Sequence, residues 1–236
     1  PSTKYQVPST KYQVPSTKYQ VPSTKYQVPT TTTGGRSYYL LPTSYFIHRR
    51  YLGAMPDIYY TTTPEANELL ADDPYALLIG LTIYQQVPTE KAFAGPYVLK
   101  ERLGGTLDAA SVASMDPDEL ETVFRETPAI HRFPANMAKR VQAVSQYLVD
   151  EYGGDAAAVW SDVRTADELV ERLEAIPGFG EYKARLTVGV LATQYGVKPR
   201  GYTKVVPDWP SVVDIKKPED LAALKERKKA WKASQA

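Results

Sequence analysis

The residues best able to do chemistry in this chain gather around Ile176-Pro177-Gly178-Phe179-Gly180 and the run after it, Glu181-Tyr182-Lys183-Ala184-Arg185. Pro177 can open a turn, and two glycines permit positive φ and leave main-chain amides with no side chain over them. If a helix begins at Glu181, its first N–H groups lack intrahelical partners and carry the positive end of the helix dipole. Such a place can hold an anionic oxygen. The same residues also write a plain tight link between two helices. Lys183 and Arg185 are either cations placed for phosphate or ordinary solvated helix surface. Gln85-Gln86 before Pro88, Asp208 within Val206-Pro207-Asp208-Trp209, and His131 complete the polar candidates. With two histidines and no cysteine, a histidine metal cluster, disulfides, thiolate zinc and a cysteine-held iron–sulfur cluster are excluded, and no cofactor is expected.

Helices must position these groups. Leu169, Val170, Leu173 and Ile176 recur at helical spacing among acids and Arg172, which predicts a helix with one buried face. Thr165 with Glu168 three residues on reads as its capping box. Downstream, Ala184, Leu186, Val188, Val190 and Leu191 continue an apolar helix to about Tyr195, with Gly196 at the C-cap. Upstream, Pro64 opens a short helix that stops near Asp72-Asp73-Pro74. Residues 75–86 are apolar on nearly all sides and predict a central helix with Gln85-Gln86 at its polar mouth. Further helices are expected over residues 89–103, closed by Gly104-Gly105, after the Asp116 cap, and over 135–152. A short turn or helix near Ser111, a short alanine-rich helix ending near Trp160, and a final helix from Pro218 complete the reading. Asp57-Ile58-Tyr59-Tyr60 is a short strand or extended. The fold class is all-α.

The glycine hairpin between two helices resembles the helix-hairpin-helix DNA clamp of the base-excision glycosylase superfamily that includes endonuclease III, adenine glycosylase and alkyladenine glycosylases. Gly80-Leu81-Thr82-Ile83-Tyr84-Gln85-Gln86-Val87-Pro88-Thr89-Glu90-Lys91-Ala92 is similar to the superfamily segment in which an apolar helix ends in Gln-Gln and a new helix starts. The resemblance covers residues 55–202. Thr127-Pro128-Ala129-Ile130-His131-Arg132-Phe133-Pro134 and Met137-Ala138-Lys139-Arg140-Val141 look like a smaller actinobacterial-type branch, usually described as helix-hairpin-helix base-excision repair proteins.

The resemblance implies a helical bundle that binds double-stranded DNA. The amides around Gly178, Phe179 and Gly180 would hold phosphate, Lys183 and Arg185 would assist, Gln85 or Gln86 would fill the gap left by an extruded base, and Tyr182 would line the pocket. Strand-cutting members carry a lysine nucleophile at the position matching Tyr182. One residue on, Lys183 is turned about 100° around the helix, so the expectation is a DNA N-glycosylase without lyase activity. The superfamily's aspartate follows the second helix in a Val-Asp segment, whereas this chain reads Gly196-Val197-Lys198-Pro199-Arg200-Gly201-Tyr202-Thr203-Lys204, with no acid. Asp208 is the nearest downstream carboxylate and the candidate catalytic acid. That departure keeps a non-catalytic DNA-binding module open as an alternative.

Residues 1–28 are four copies of Pro-Ser-Thr-Lys-Tyr-Gln-Val, followed by Pro29, four threonines and Gly34-Gly35. A proline in every seven-residue unit excludes a continuous helix and predicts an extended or disordered tail over 1–54. It is a nonfunctional extension, or the working part of an interaction protein. Residues 55–215 would form the helical domain and 216–236 a basic C-terminal helix, either solvated or phosphate-contacting. Residues 1–54 hold seven basic and no acidic residues, which leaves residues 55–236 with 21 basic and 27 acidic, a net charge of minus six. The distribution favours one end: residues 176–236 carry twelve basic against six acidic residues, so a phosphate surface is expected there. No apolar run reaches transmembrane length and no signal peptide is visible, so no membrane partner is expected. A cysteine-free chain is compatible with the reducing cytoplasm, and with the nucleoid for a bacterial DNA binder.

Overall fold

The computed structural model describes residues 56–235. The expected extended tail over 1–54 lies outside the described residues. Among the described residues, nine α-helices follow in order: α1 (Pro64–Asp72), α2 (Pro74–Ile83), α3 (Thr89–Arg102), α4 (Ala109–Ser114), α5 (Pro117–Arg125), α6 (Pro134–Tyr152), α7 (Ala166–Glu174), α8 (Glu181–Gln194) and α9 (Pro218–Ser234). Single 3₁₀ turns occupy Ala156–Val159, Tyr202–Lys204 and Val212–Asp214. Among the described residues there is no strand, only an isolated parallel bridge between Thr165 and Arg200. The all-α expectation holds for these residues. Asp57-Ile58-Tyr59-Tyr60 is irregular, with Ile58 and Tyr60 buried.

The middle of the fold is α2, in which every residue from Tyr75 to Ile83 is buried. Asp73 starts it, accepting from the N–H groups of Tyr75 and Ala76 at 2.8 and 3.3 Å. Burial raises this carboxyl above the ordinary aspartate range, and those two amides work in the opposite direction. α3 crosses α2 at Gly80, where an added Cβ would stand 2.9 Å from Phe93 Cδ1. The Phe93 ring also meets the buried Tyr60 ring at 4.7 Å. On the other side, α4 and α5 pack against α6, whose Met137, Val141, Val144 and Leu148 form the apolar face that the sequence marks. Each such buried side chain contributes about 1.5–3 kcal/mol relative to exposure.

Three local expectations change. The central helix, expected over 75–86, ends at Ile83: the Gln85 N–H turns back to the Ile83 carbonyl at 2.6 Å, and Gln86 takes a left-handed φ of +57°. Pro88 accounts for this, since it disfavours helical backbone at Val87 and offers no N–H of its own. At Thr165 only half of the capping box forms. Thr165 Oγ1 accepts from the Glu168 N–H at 3.2 Å, but the Glu168 carboxylate accepts from the Arg164 N–H at 3.0 Å, one residue before the cap. The alanine-rich segment before Trp160 is a 3₁₀ turn rather than an α-helix.

α7 packs on α8 through Leu169, Leu173 and the following Ile176. α8 is buried over most of its circumference. Its middle lies against the 212–214 turn at Gly189, where a Cβ would come within 2.7 Å of Val213 Cγ2. α9 is tied down at its start: Leu224 is buried, and the Asp220 carboxylate accepts from the Lys216 N–H and from Arg227 at 3.1 and 3.0 Å. No described helix is long and apolar enough to cross a membrane.

Candidate functional site

The hairpin between α7 and α8 turns on one left-handed residue. Gly178 has φ +80°, whereas Gly180 is extended at φ −107°, ψ −179°, so the expected pair of positive-φ glycines is a single one. Both glycines are exposed. The N–H groups of Gly178, Gly180, Glu181 and Tyr182 find no acceptor among the described residues, while the Gly180 carbonyl accepts from Lys183 and Ala184, both at 2.9 Å. That is the bare helix start that binds anions. Phe179, expected among the contacts, has a buried side chain that anchors the turn from below, and its N–H bonds to the Ile176 carbonyl at 3.0 Å.

The Gln85-Gln86 turn faces the same space, and its two glutamines differ. Phe133 N–H donates to His131 Nδ1 at 3.0 Å, which fixes the imidazole proton on Nε2 and makes it the donor to the Gln85 carbonyl at 2.9 Å. Arg140 Nη1 donates to Gln85 Oε1, and the Arg140 side chain also lies under Gly178, with Cδ 3.0 Å from where a Cβ would be. Gln85 is therefore tied at both ends. Gln86 is exposed at its left-handed φ, and its side chain makes no hydrogen bond to a described residue.

Lys183 departs from the exposed phosphate-facing position expected for it. Its side chain is buried, Nζ donates to the Thr82 carbonyl at 3.0 Å, and the ammonium lies 5.0 Å from the Phe179 ring centre. Burial, with the Arg140 charge adding, draws its pKa down to about 8. Arg185 is also engaged internally: Nε donates to the Val205 carbonyl at 3.0 Å and the guanidinium covers Trp209 at 5.0 Å. Tyr182 stacks on the other partner of that pair, its ring 4.9 Å from Trp209 at an interplanar angle of 16°, with Trp209 Nε1 donating to Tyr182 Oη at 3.1 Å.

A cleft of about 840 Å³ unites the pieces. The turn contributes Tyr84, Gln85 and Gln86, the start of α8 contributes Gly180, Tyr182 and Lys183, and α9 contributes Lys228 and Lys232. The acid on its wall is Glu181. Asp208, the expected catalytic carboxylate, is exposed elsewhere and is not among the lining residues, because the 207–209 segment turns its tryptophan, not its aspartate, toward Tyr182. Three lysines against one glutamate, two tyrosines and a row of amides suit a ligand that is both planar and anionic.

Tyr84 and the paired Lys228 and Lys232 carry much of the wall; the sequence does not mark Tyr84 as a site residue, and it marks the two lysines only as part of a basic C-terminal helix, solvated or phosphate-contacting. The spacing of Lys228 and Lys232, four apart on one helix face, was the available signal. No protein-family model matches the chain, and no curated protein matches it.

Proposed function

We propose that this protein binds double-stranded DNA by its glycine hairpin and draws one nucleotide from the stack into the adjoining cleft, as a base-excision repair protein of the helix-hairpin-helix glycosylase kind. The observation that carries the reading is the meeting of the exposed, acceptor-free amides at the start of α8 with the exposed Gln86 on one basic cleft. In this reading the amides hold a phosphate, Gln86 enters the vacated stack, and the base rests against Tyr182. Base extrusion costs a few kcal/mol, which wedge and pocket contacts offset. The carboxylate on the cleft wall is Glu181, which replaces Asp208 as the group to test for stabilising cationic character on the sugar.

Duplexes carrying uracil, oxidised, alkylated or mismatched bases, incubated with the protein and then cleaved by alkali, test the activity. New abasic sites are the expected result. Binding without product on every duplex would leave the non-catalytic DNA-binding module, and absence of salt-dependent binding would remove both.

A second reading, strand cleavage through a Schiff base, is favoured by one observation: the buried Lys183 side chain borders the cleft, and its burial lowers the ammonium pKa to about 8. An unprotonated Nζ adds to the C1′ aldehyde of an abasic sugar and water leaves. Borohydride trapping of a protein–DNA adduct that disappears in Lys183→Gln tests it.

A further inference from the structure

We propose that Lys228 and Lys232 of α9 form a second phosphate-binding wall, so that the nucleic-acid backbone is held between the hairpin amides on one side of the cleft and the C-terminal helix on the other. The proposal rests on the DNA-binding reading of the hairpin and adds a strand contact that the hairpin does not make. Four observations carry it. Lys228 and Lys232 line the same cleft as Gly180 and Gln86, although they lie about forty residues further along the chain than α8. They stand one helical turn apart, so both ammonium groups can follow a single strand. Neither has a carboxylate within ion-pair distance among the described residues, whereas the neighbouring Arg227 is bound to Asp220 at 3.0 Å.

The fourth is what Lys228 touches instead. Its Nζ donates to the phenol oxygen of Tyr84 and lies 5.1 Å from the centre of the Tyr84 ring, so a neutral hydroxyl and an aromatic face hold it over the opening. A phosphate oxygen would exchange that neutral acceptor for a charged one, a stronger hydrogen bond that the lysine reaches from its present place. Tyr84 directly precedes the Gln85-Gln86 turn. The swap would therefore leave the Tyr84 phenol held by Thr89 Oγ1 alone, at 3.1 Å, next to the residue expected to enter the DNA stack.

The test compares two double variants with matched charge. Lys228→Ala with Lys232→Ala removes the wall, and Lys225→Ala with Lys229→Ala removes the same charge from the same helix at exposed positions that do not line the cleft. The probe is a duplex oligonucleotide with a central abasic-site analogue, titrated from low to moderate salt against the full chain. Each lost phosphate contact lowers the slope of log K against log salt by about 0.9. The wall variant should lose about 2 from the slope and about tenfold or more in affinity at low salt, and the control should change little. Lys228→Arg with Lys232→Arg should restore both, which separates a charge effect from damage to the helix. Equal behaviour of the two alanine variants, with hairpin variants still weakening binding, overturns the second wall and leaves the hairpin reading intact. A wild-type chain that does not bind the duplex at all overturns both.

Discussion

Lys183 Nζ donates to the Thr82 carbonyl at 3.0 Å and so closes the end of α2 from the first turn of α8. The reason lies in the turn that follows α2. An uninterrupted helix would bring the Gln86 N–H to the Thr82 carbonyl, but Gln86 has left the helix at φ +57°. The buried carbonyl then needs another donor, and a cation at the negative end of a helix is the favourable one. The geometry that exposes Gln86 thus also turns Lys183 inward.

That amine should write itself into the pH dependence of stability. Its pKa is about 8 in the folded protein against an ordinary 10.5. The unfolded chain therefore binds more protons between those values, and stability rises as pH climbs through the interval. Below about 8 both states are protonated and the full cost is present, about 3 kcal/mol at most. Denaturant unfolding from pH 7 to 10.5 should show this upward slope in the wild type relative to Lys183→Met, whose lost bond to Thr82 adds an offset that does not vary with pH. Parallel curves would mean the amine is better solvated than its burial implies.

Gly178 and Gly180 should respond unequally to substitution. Gly178→Val forces a β-branched residue to φ +80° and against the Arg140 side chain, and should cost about 1–3 kcal/mol. Gly180→Ala puts a methyl group into open space at an ordinary φ of −107° and should change stability by less than about 1 kcal/mol. Thermal unfolding of the two variants reads the difference directly.

His131 is the pin of the Gln85-Gln86 turn. It is buried, accepts from Phe133 N–H and donates to the Gln85 carbonyl, so His131→Phe keeps the ring and removes both bonds. Each buried group left without a partner costs about 1–3 kcal/mol. The expected result is a loss of stability in that range, together with faster amide exchange at Gln85, where the 2.6 Å bond to Ile83 holds the turn. A variant as stable as the wild type would show that water replaces the imidazole.

The helices were legible because their signals are local. Asp116, read as a cap, accepts from the first-turn amides of α5, and the one-sided apolar pattern of α6 survives packing. The hairpin was legible for the same reason, since proline and glycine constrain their own backbone. The side-chain placements that the sequence did not indicate depend on contacts distant in sequence. Nothing near Lys183 says that Thr82, 101 residues earlier, will lack a donor, and nothing near Asp208 says that Trp209 will be the side chain drawn to Tyr182. The placement of Lys228 beside Tyr84 is likewise a tertiary fact, spanning 144 residues.

The two candidate carboxylates can be separated by replacing each with its neutral amide isostere. Glu181 lines the cleft beside the amides proposed to hold phosphate, and its nearest cation, Arg185, is 3.9 Å away, a long and largely exposed pair that contributes little. Its negative charge therefore opposes an incoming phosphate. Glu181→Gln should bind duplex DNA about two- to fivefold more tightly at low salt, with the gain fading as salt screens the repulsion. If the same carboxylate stabilises a cationic sugar during base loss, product formation should fall by about a hundredfold or more in that variant while binding improves. Asp208→Asn lies outside the cleft and should leave both unchanged. Opposite shifts in binding and turnover for Glu181→Gln would identify the acid that the sequence placed at Asp208; a loss of turnover confined to Asp208→Asn would require the 207–209 segment to rearrange over bound DNA.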